Sequence, residues 1–312
     1  MVQPLTQPAA EPVIHVAALT KRFRGETQPV LRSLDLSIPP GSVTGLLGRN
    51  AAGKTTLLKC LLGLLRLTSG SARIWSEDSW DLSDTAKARI GYVPQEIALY
   101  PWMRVRQVID YTAAFYPLWN RDLVSRLIRE WDLPEKSLTS TLSTGQTQKV
   151  ATLLAMGHEP DLLILDEPVA ALDPASRRDF LRALLEVASD GSRTILFSTH
   201  ITSDLERVAD HVAVLRDGRV ACHDALDSLK DRVKRIRLTA PTPFPQASPD
   251  LPGVHLLRYA ADNSSALLAV DDFDDSLPAL LAQRFSAHVR VEDLNLEEIF
   301  LELHGIPESP DA

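Results

Sequence analysis

Short apolar runs recur along the first two-thirds of the chain, separated by stretches with helical spacing. Val13–Ala17, Val43–Leu47, Ile90–Val93, Leu162–Leu165, Thr194–Phe197 and Val212–Leu215 read as strands. Strands alternating with helices predict a largely parallel sheet, with ligands at the carboxyl ends of its strands. Residues up to about 100 are richer in strand and turn signals, which predicts an antiparallel sheet beside that core. From about 96 to 160 the pattern becomes helical. Its first half, to Thr141, is aromatic, with Tyr100, Trp102, Tyr111, Phe115, Tyr116, Trp119 and Trp131. This predicts a helical insertion whose aromatics either dock a partner or pack the insertion itself.

The pattern changes again near residue 236. Ile236-Arg237-Leu238 is strand-like, and Thr239 to Pro252 carries five prolines and reads as a loop. Val254–Tyr259 and Ala266–Val270 predict a hairpin around Asp262-Asn263-Ser264. Ser276–Phe285 predicts a helix, His288–Val291 a strand and Leu296–Leu303 a helix. The expected organisation is therefore an α/β domain over 13–235 and a small α+β module over 236–312 without a chemical motif. Met1–Pro12 has three prolines and no basic-then-apolar order, so it reads as a flexible tail and not a signal peptide.

Composition narrows the classes. The 312 residues carry a formal charge of −8, which argues against a nucleic-acid partner because phosphate binding over a large surface needs a basic footprint. The two cysteines, Cys60 and Cys222, form no disulfide framework and fit a reduced, cytoplasmic setting. Cys60 falls inside an apolar helix pattern and reads as core. No apolar run approaches the length of a membrane-spanning helix, so the chain is not expected to cross a membrane by itself.

The chemistry concentrates in three segments. Gly48-Arg49-Asn50-Ala51-Ala52-Gly53-Lys54-Thr55 fits G-x-x-x-x-G-K-[ST] between a predicted strand and a predicted helix that begins near Thr56. Such a turn aims backbone N–H groups and a helix N-terminus at one spot, which suits a phosphate chain, with Lys54 on the outer phosphates and the Thr55 hydroxyl on Mg2+. Leu162–Leu165 ends in Asp166 and Glu167, two carboxylates delivered beside that loop. Asp166 can hold Mg2+, and Glu167 can accept a proton from an attacking water. Leu142-Ser143-Thr144-Gly145-Gln146 opens an amphipathic helix, with Ser143 as N-cap and Val150, Leu153 and Leu154 on its apolar face.

Seven elements in this order resemble the nucleotide-binding subunit of ABC transporters. They are Phe23, Gly48–Thr55, Gln95 in YVPQE, Leu142–Gln146, Leu162–Glu167, Ala171–Asp173 and His200 in FSTH. The resemblance implies a P-loop NTPase core with an antiparallel β subdomain and a helical subdomain, binding ATP with Mg2+. It implies that Phe23 stacks on adenine and that Gly48, Arg49, Asn50, Ala51, Ala52, Gly53, Lys54, Thr55 and Thr56 cradle the phosphates. Thr55, Gln95 and Asp166 would reach Mg2+, Glu167 would be the general base, and His200 would contact the γ-phosphate. Ser143, Gly145 and Gln146 would act on ATP held by a second subunit, and Asp173 would lie at the dimer contact. Ala51, Thr144 and Ala170 depart from the family's usual glycine, glycine and serine; none removes the lysine, the acids or the histidine. The partners implied are a second copy or a paralogous subunit, and a polytopic membrane permease that holds the chain on the inner face of the membrane. The LNLEEIF segment at Leu294–Phe300 and Tyr116–Trp119 resemble exporter ATPase subunits. The alternative is an ABC-type ATPase with a non-transport role.

Overall fold

The computed structural model describes residues 11–304 apart from 171, 189 and 190. One compact unit ends at His223 and a second begins at Asp224, ahead of the expected boundary at 236. Most of the expected N-terminal tail, residues 1–10, lies outside the described residues.

The first unit contains β1 (Ile14–Lys21), β2 (Leu31–Ile38), β3 (Val43–Leu47), α1 (Lys54–Leu61), β4 (Ser69–Ile74), β5 (Glu77–Asp78), α2 (Asp84–Ala88) and β6 (Ile90–Val93). It continues through α3 (Val105–Ala113), α4 (Arg121–Glu130), α5 (Thr144–Met156), β7 (Leu162–Asp166), α6 (Pro174–Ala188), β8 (Thr194–Thr199), α7 (Thr202–Val208) and β9 (His211–Arg216) to β10 (Arg219–Ala225), whose last two residues already belong to the second unit. β3, β7 and β8 are buried at every position, as parallel strands covered on both faces must be. β1 and β2 alternate buried and open positions, the mark of an antiparallel sheet with one face on the core.

The two patterns sort into two sheets, ordered β2-β1-β4-β5 and β10-β9-β3-β8-β7-β6. In the larger, β3 pairs in parallel with β8 and β9, β7 with β8, and β6 with β7. Ile14, Val16, Leu36 and Ile38 of the smaller sheet share one core cluster with Leu57, Leu58, Cys60 and Leu61 of α1. Burial pushes the Cys60 thiol up to about 11, consistent with a core role for this residue. The topology places the loop after β3 and the acids after β7 at the same edge of the sheet, separated by β8.

In the helical insertion, Val105, Val108, Ile109, Val124, Leu127 and Ile128 are buried, and Trp131 stacks on Phe180 with ring centroids 6.4 Å apart. Tyr116 stacks on the His158 ring at 4.0 Å. Trp102, Tyr100, Tyr111 and Phe115 instead form an exposed ladder in that order, with successive centroids 5.0–5.6 Å apart. The aromatics thus divide between packing and surface.

The second unit contains α8 (Leu226–Arg232), β11 (Lys234–Thr239), β12 (His255–Ala261), β13 (Ser265–Asp271), α9 (Leu277–Phe285), β14 (His288–Asp293) and α10 (Leu296–His304). Its antiparallel sheet runs β12-β13-β11-β14. Asp262 Oδ1 accepts the Ser264 and Ser265 amides and closes the β12–β13 hairpin where the sequence predicts it. Ile236, Leu238, Leu268 and Val270 form the core with Leu277 and Leu281. Arg235 of β11 binds Glu298 and Glu302 of α10, at 3.2 and 3.0 Å. Among the described residues, no helix is long and apolar enough to cross a membrane.

Candidate active site

The phosphate loop follows directly from its sequence. At Gly48 the chain passes so close to β9 that a Cβ would meet the Leu215 carbonyl oxygen at 2.8 Å. At Gly53 the backbone takes φ +106°, which a side chain resists, and Lys54 opens α1 immediately afterwards. Lys54 is buried and folds back over its own loop, donating to the Gly48 carbonyl at 2.7 Å and reaching the Arg49 carbonyl at 3.3 Å. Ala51 also takes a left-handed conformation, at φ +65°. The alanine therefore stands where glycine would be unstrained.

The end of β7 meets this loop. Lys54 Nζ lies 3.1 Å from Glu167 Oε1, and Glu167 Oε2 lies 2.9 Å from His200 Nδ1. Glu167 is buried and held at φ +51°, with its amide donating to Ser198 Oγ at 3.0 Å. The Ser198 hydroxyl in turn donates to Asp166 Oδ1 at 2.6 Å. One serine on β8 thus fixes both acids. Asn50, Ala51, Ala52, Gly53, Lys54, Thr55, Thr56, Gln95, Glu167 and His200 line a single cavity of about 460 Å³. Such a cleft, with a cation, a carboxylate, an imidazole and a helix N-terminus converging on it, can hold a polyphosphate and deprotonate water.

The donor set also fits Mg2+. Thr55 Oγ1 and Gln95 Oε1 lie 3.3 Å apart, while Asp166 Oδ2 is buried with no hydrogen-bond partner. These are all oxygen ligands, as a hard cation requires. Among the described residues, no group of three or more His, Cys, Asp or Glu could hold a metal alone. One carboxylate with a hydroxyl and an amide, completed by phosphate oxygens, is the usual Mg2+ arrangement.

Not every expected residue joins this cavity. Gly48 and Arg49 sit behind it as carbonyl acceptors for Lys54. Phe23 is 37% exposed and does not line the cavity; the Lys21 ammonium lies over its ring at 4.9 Å. Ser143 and Gln146 form a reciprocal cap at the start of α5, at 3.2 and 3.0 Å. They and Gly145 lie outside both this cavity and a neighbouring one of about 310 Å³, which Thr144 lines with Gln95, Ile97, Gln148, Glu167 and Ala170. Asp173 caps α6, accepting the Ala175 and Ser176 amides at 3.0 and 3.1 Å. Hydrogen bonds from the Ser176 side chain and amide hold its carboxyl down at about 2. Ala171, part of the expected ALD element, lies outside the described residues. Sequence reading missed Val30 and Ala170 as lining residues and Ser198 as the brace. Only Ser198 carried a signal, its place between the apolar run of β8 and His200.

A phosphate loop between strand and helix and an acid-ended strand two places away in the same parallel sheet, on a mixed α/β scaffold, define a P-loop ATPase. The sequence profile of the ABC transporter family matches residues 31–170. An uncharacterised ABC transporter ATP-binding protein, YhaQ of Bacillus subtilis, is 31% identical over 92% of this chain and 97% of its own length. The bacitracin transport ATP-binding protein BcrA of Bacillus licheniformis is 30% identical over 72% of this chain and 73% of its own. A solved ATP-binding subunit of an ABC transporter superposes with a TM-score of 0.63 at 30% identity, covering 70% of this chain and 92% of that one. The chain belongs to the ABC transporter ATP-binding proteins and is an ATPase.

Proposed function

We propose that the chain powers an exporter by hydrolysing ATP in a head-to-tail dimer bound to a separate membrane permease. The observation that carries this reading is the buried Lys54–Glu167 pair with the exposed His200 imidazole on its outer side, all three lining the phosphate-loop cavity. In it the loop amides and Lys54 cradle the phosphates, Glu167 takes the proton of the attacking water, and His200 orients that water on the γ-phosphate. Lys54 and Glu167 neutralise each other in the structure, and a triphosphate competes for the lysine and frees the carboxylate to act as base. Thr55, Gln95 and Asp166 hold Mg2+, which offsets the negative charge of the outer phosphates. Phe23 stacks on adenine after a loop movement, since its ring stands outside the cavity.

The dimer accounts for the signature segment. Ser143, Gly145 and Gln146 line no part of the chain's own phosphate cavity, and in this reading they serve, at the N-terminus of α5, ATP held by a second copy or a paralogue. Asp173 sits at that contact. The exposed ladder Trp102–Tyr100–Tyr111–Phe115 follows Gln95 in sequence and docks a short helix of the permease. That partner keeps the chain on the inner membrane face. Export follows from the LNLEEIF and Tyr116–Trp119 segments.

Two measurements test the reading. Light scattering of Glu167→Gln with Mg-ATP should show a dimer that Ser143→Arg abolishes; a fully active monomer would overturn the shared site. Co-expression with the polytopic product of the neighbouring gene should carry the chain into the membrane fraction, and Trp102→Ala should uncouple transport from basal ATPase. A chain that stays out of that fraction favours the non-transport alternative.

A further inference from the structure

Tyr92 stands in the Tyr92-Val93-Pro94-Gln95 segment, of which the proposed site takes only the glutamine. The tyrosine lies on β6, where the register pairs it with Ile164 of β7. Asp166 follows Ile164 by two residues, and side chains two apart along a strand share a face. Tyr92 and Asp166 are therefore diagonal neighbours on one face of the sheet, a spacing that an aromatic side chain spans. Ile164 and Tyr92 both pack in the core cluster that holds Leu57, Leu58 and Leu61 of α1. The shared face is thus the one that α1 covers, and α1 opens with Lys54 and Thr55.

Both side chains carry a buried polar atom without a hydrogen-bond partner, the Tyr92 hydroxyl and Asp166 Oδ2. One is a donor and the other a charged acceptor. Asp166 is fully buried, and its other oxygen already accepts the Ser198 hydroxyl at 2.6 Å. Burial first, and the Asp166 charge second, push the Tyr92 phenol up to about 12, so the carboxylate is felt at the ring and the hydroxyl keeps its proton. Leaving a buried hydroxyl unpaired is costly, and a phenylalanine would fill the same core position without that cost. Packing alone gives no reason for the oxygen.

We propose that Tyr92 is a positioning residue for Mg2+: when the metal is bound, its hydroxyl donates to Asp166 Oδ2 and fixes the carboxylate that Ser198 holds from the other oxygen. A carboxylate tied at one oxygen swings about that contact, and a second donor stops it. Mg2+ demands near-ideal octahedral geometry, so a fixed carboxylate binds it better than a swinging one. Tyr92 does not line the phosphate cavity and acts through Asp166. The inference rests on the reading of Asp166 as a residue that holds Mg2+.

The test compares Glu167→Gln with Glu167→Gln/Tyr92→Phe in the full chain, so that bound ATP is not turned over. ATP binding is measured from EDTA through rising Mg2+. Tyr92→Phe should raise the Mg2+ concentration at half-effect by about 10-fold, as expected when a metal ligand loses its outer partner. ATP affinity in EDTA should not change. Melting without nucleotide or metal gives the second readout. There Tyr92→Phe should leave Tm unchanged or raise it, because the hydroxyl removed has no partner in the structure. A purely structural hydroxyl would do the reverse, lowering that Tm and leaving the Mg2+ dependence alone. An unshifted Mg2+ midpoint, or a fall in the nucleotide-free Tm, overturns the proposal. Asp166→Asn is run in the same background: a Mg2+ midpoint equal to that of Glu167→Gln alone would overturn the underlying reading of Asp166 instead.

Discussion

The two units each bury a cation against a carboxylate, and the pairs look alike by distance. Lys54–Glu167 is 3.1 Å long with side chains 6% and 7% exposed; Arg235–Glu302 is 3.0 Å long with side chains 8% and 2% exposed. What surrounds them differs. Around Arg235 further ions converge, Glu298 at 3.2 Å and Arg258 at 3.5 Å from Glu302, and the result pins α10 to the sheet. Around Lys54 the chain leaves an open cavity, holds Ala51 and Glu167 at positive φ and leaves Asp166 Oδ2 without a partner. A buried ion pair is therefore weak evidence of function by itself. Strain at the rim of a cavity, with a buried carboxylate oxygen left unpaired next to it in sequence, distinguishes a site from a strut.

The comparison breaks most visibly if both carboxylates are removed in turn. Glu167→Gln should lower ATP turnover by about 10²–10⁴-fold while ATP binding persists, since the amide keeps the shape but cannot take a proton. Turnover near the wild-type rate would show that Glu167 is not the base. Glu302→Ala should do the reverse. It removes one of the two carboxylates on Arg235, leaving Glu298, and should destabilise that unit by about 1.5–3 kcal/mol, with little change in kcat. Denaturant unfolding followed by a probe in the second unit measures the first effect, and an ATPase assay the second. A large kcat loss at Glu302 would erase the distinction between site and strut.

A third probe lies in the first unit but away from the cavity. His158 is buried, stacks on Tyr116 and contacts the Ile90 carbonyl at 3.2 Å; burial pushes its pKa below the ordinary 6.5. The unfolded chain then binds a proton at a higher pH than the folded one. Stability from this group is complete above 6.5 and is lost as pH falls from there towards the depressed folded value. His158→Gln should flatten that part of the pH–stability curve and leave kcat at neutral pH unchanged. An unaltered curve would mean that another histidine carries the dependence.

Much of this contrast was legible in the sequence. The strands that carry the site are the continuous apolar runs, and Gly48–Thr55, Asp166–Glu167 and His200 meet because strand ends deliver them to one edge. The hairpin at Asp262 and the helix at Leu277 were equally plain, being set by local turn chemistry and spacing. β2, β4 and α6 were not singled out: β2 alternates but, like β4, holds no continuous apolar run, and α6 has charges on most of its open face. Phe23 could not be placed relative to the cavity, because its position depends on the path of a loop. Ser198, Val30 and the placing of Tyr92 on one face with Asp166 depend on contacts between elements distant in sequence, which no local pattern encodes. The boundary near 235 came out late because α8 precedes the change in composition.

The smallest effect tests strain itself. Ala51 sits in the phosphate loop at φ +65°, a conformation that costs an L-residue with a Cβ roughly 1–2 kcal/mol. Glycine removes that cost but gives the unfolded chain more freedom, which returns about 0.4–1 kcal/mol. Ala51→Gly should therefore stabilise the first unit by up to about 1 kcal/mol, a rise in Tm of about 2–4 °C. Gly53→Ala should do the opposite, since a Cβ there would meet Leu31 Cδ2 at 2.8 Å with the backbone at φ +106°. The two substitutions exchange the same atoms two residues apart, so general effects of the loop cancel between them. Melting curves of both variants without nucleotide give the answer. If Ala51→Gly lowers Tm, the alanine is accommodated without strain, and positive φ at that position no longer separates the phosphate loop from the ion cluster that holds α10.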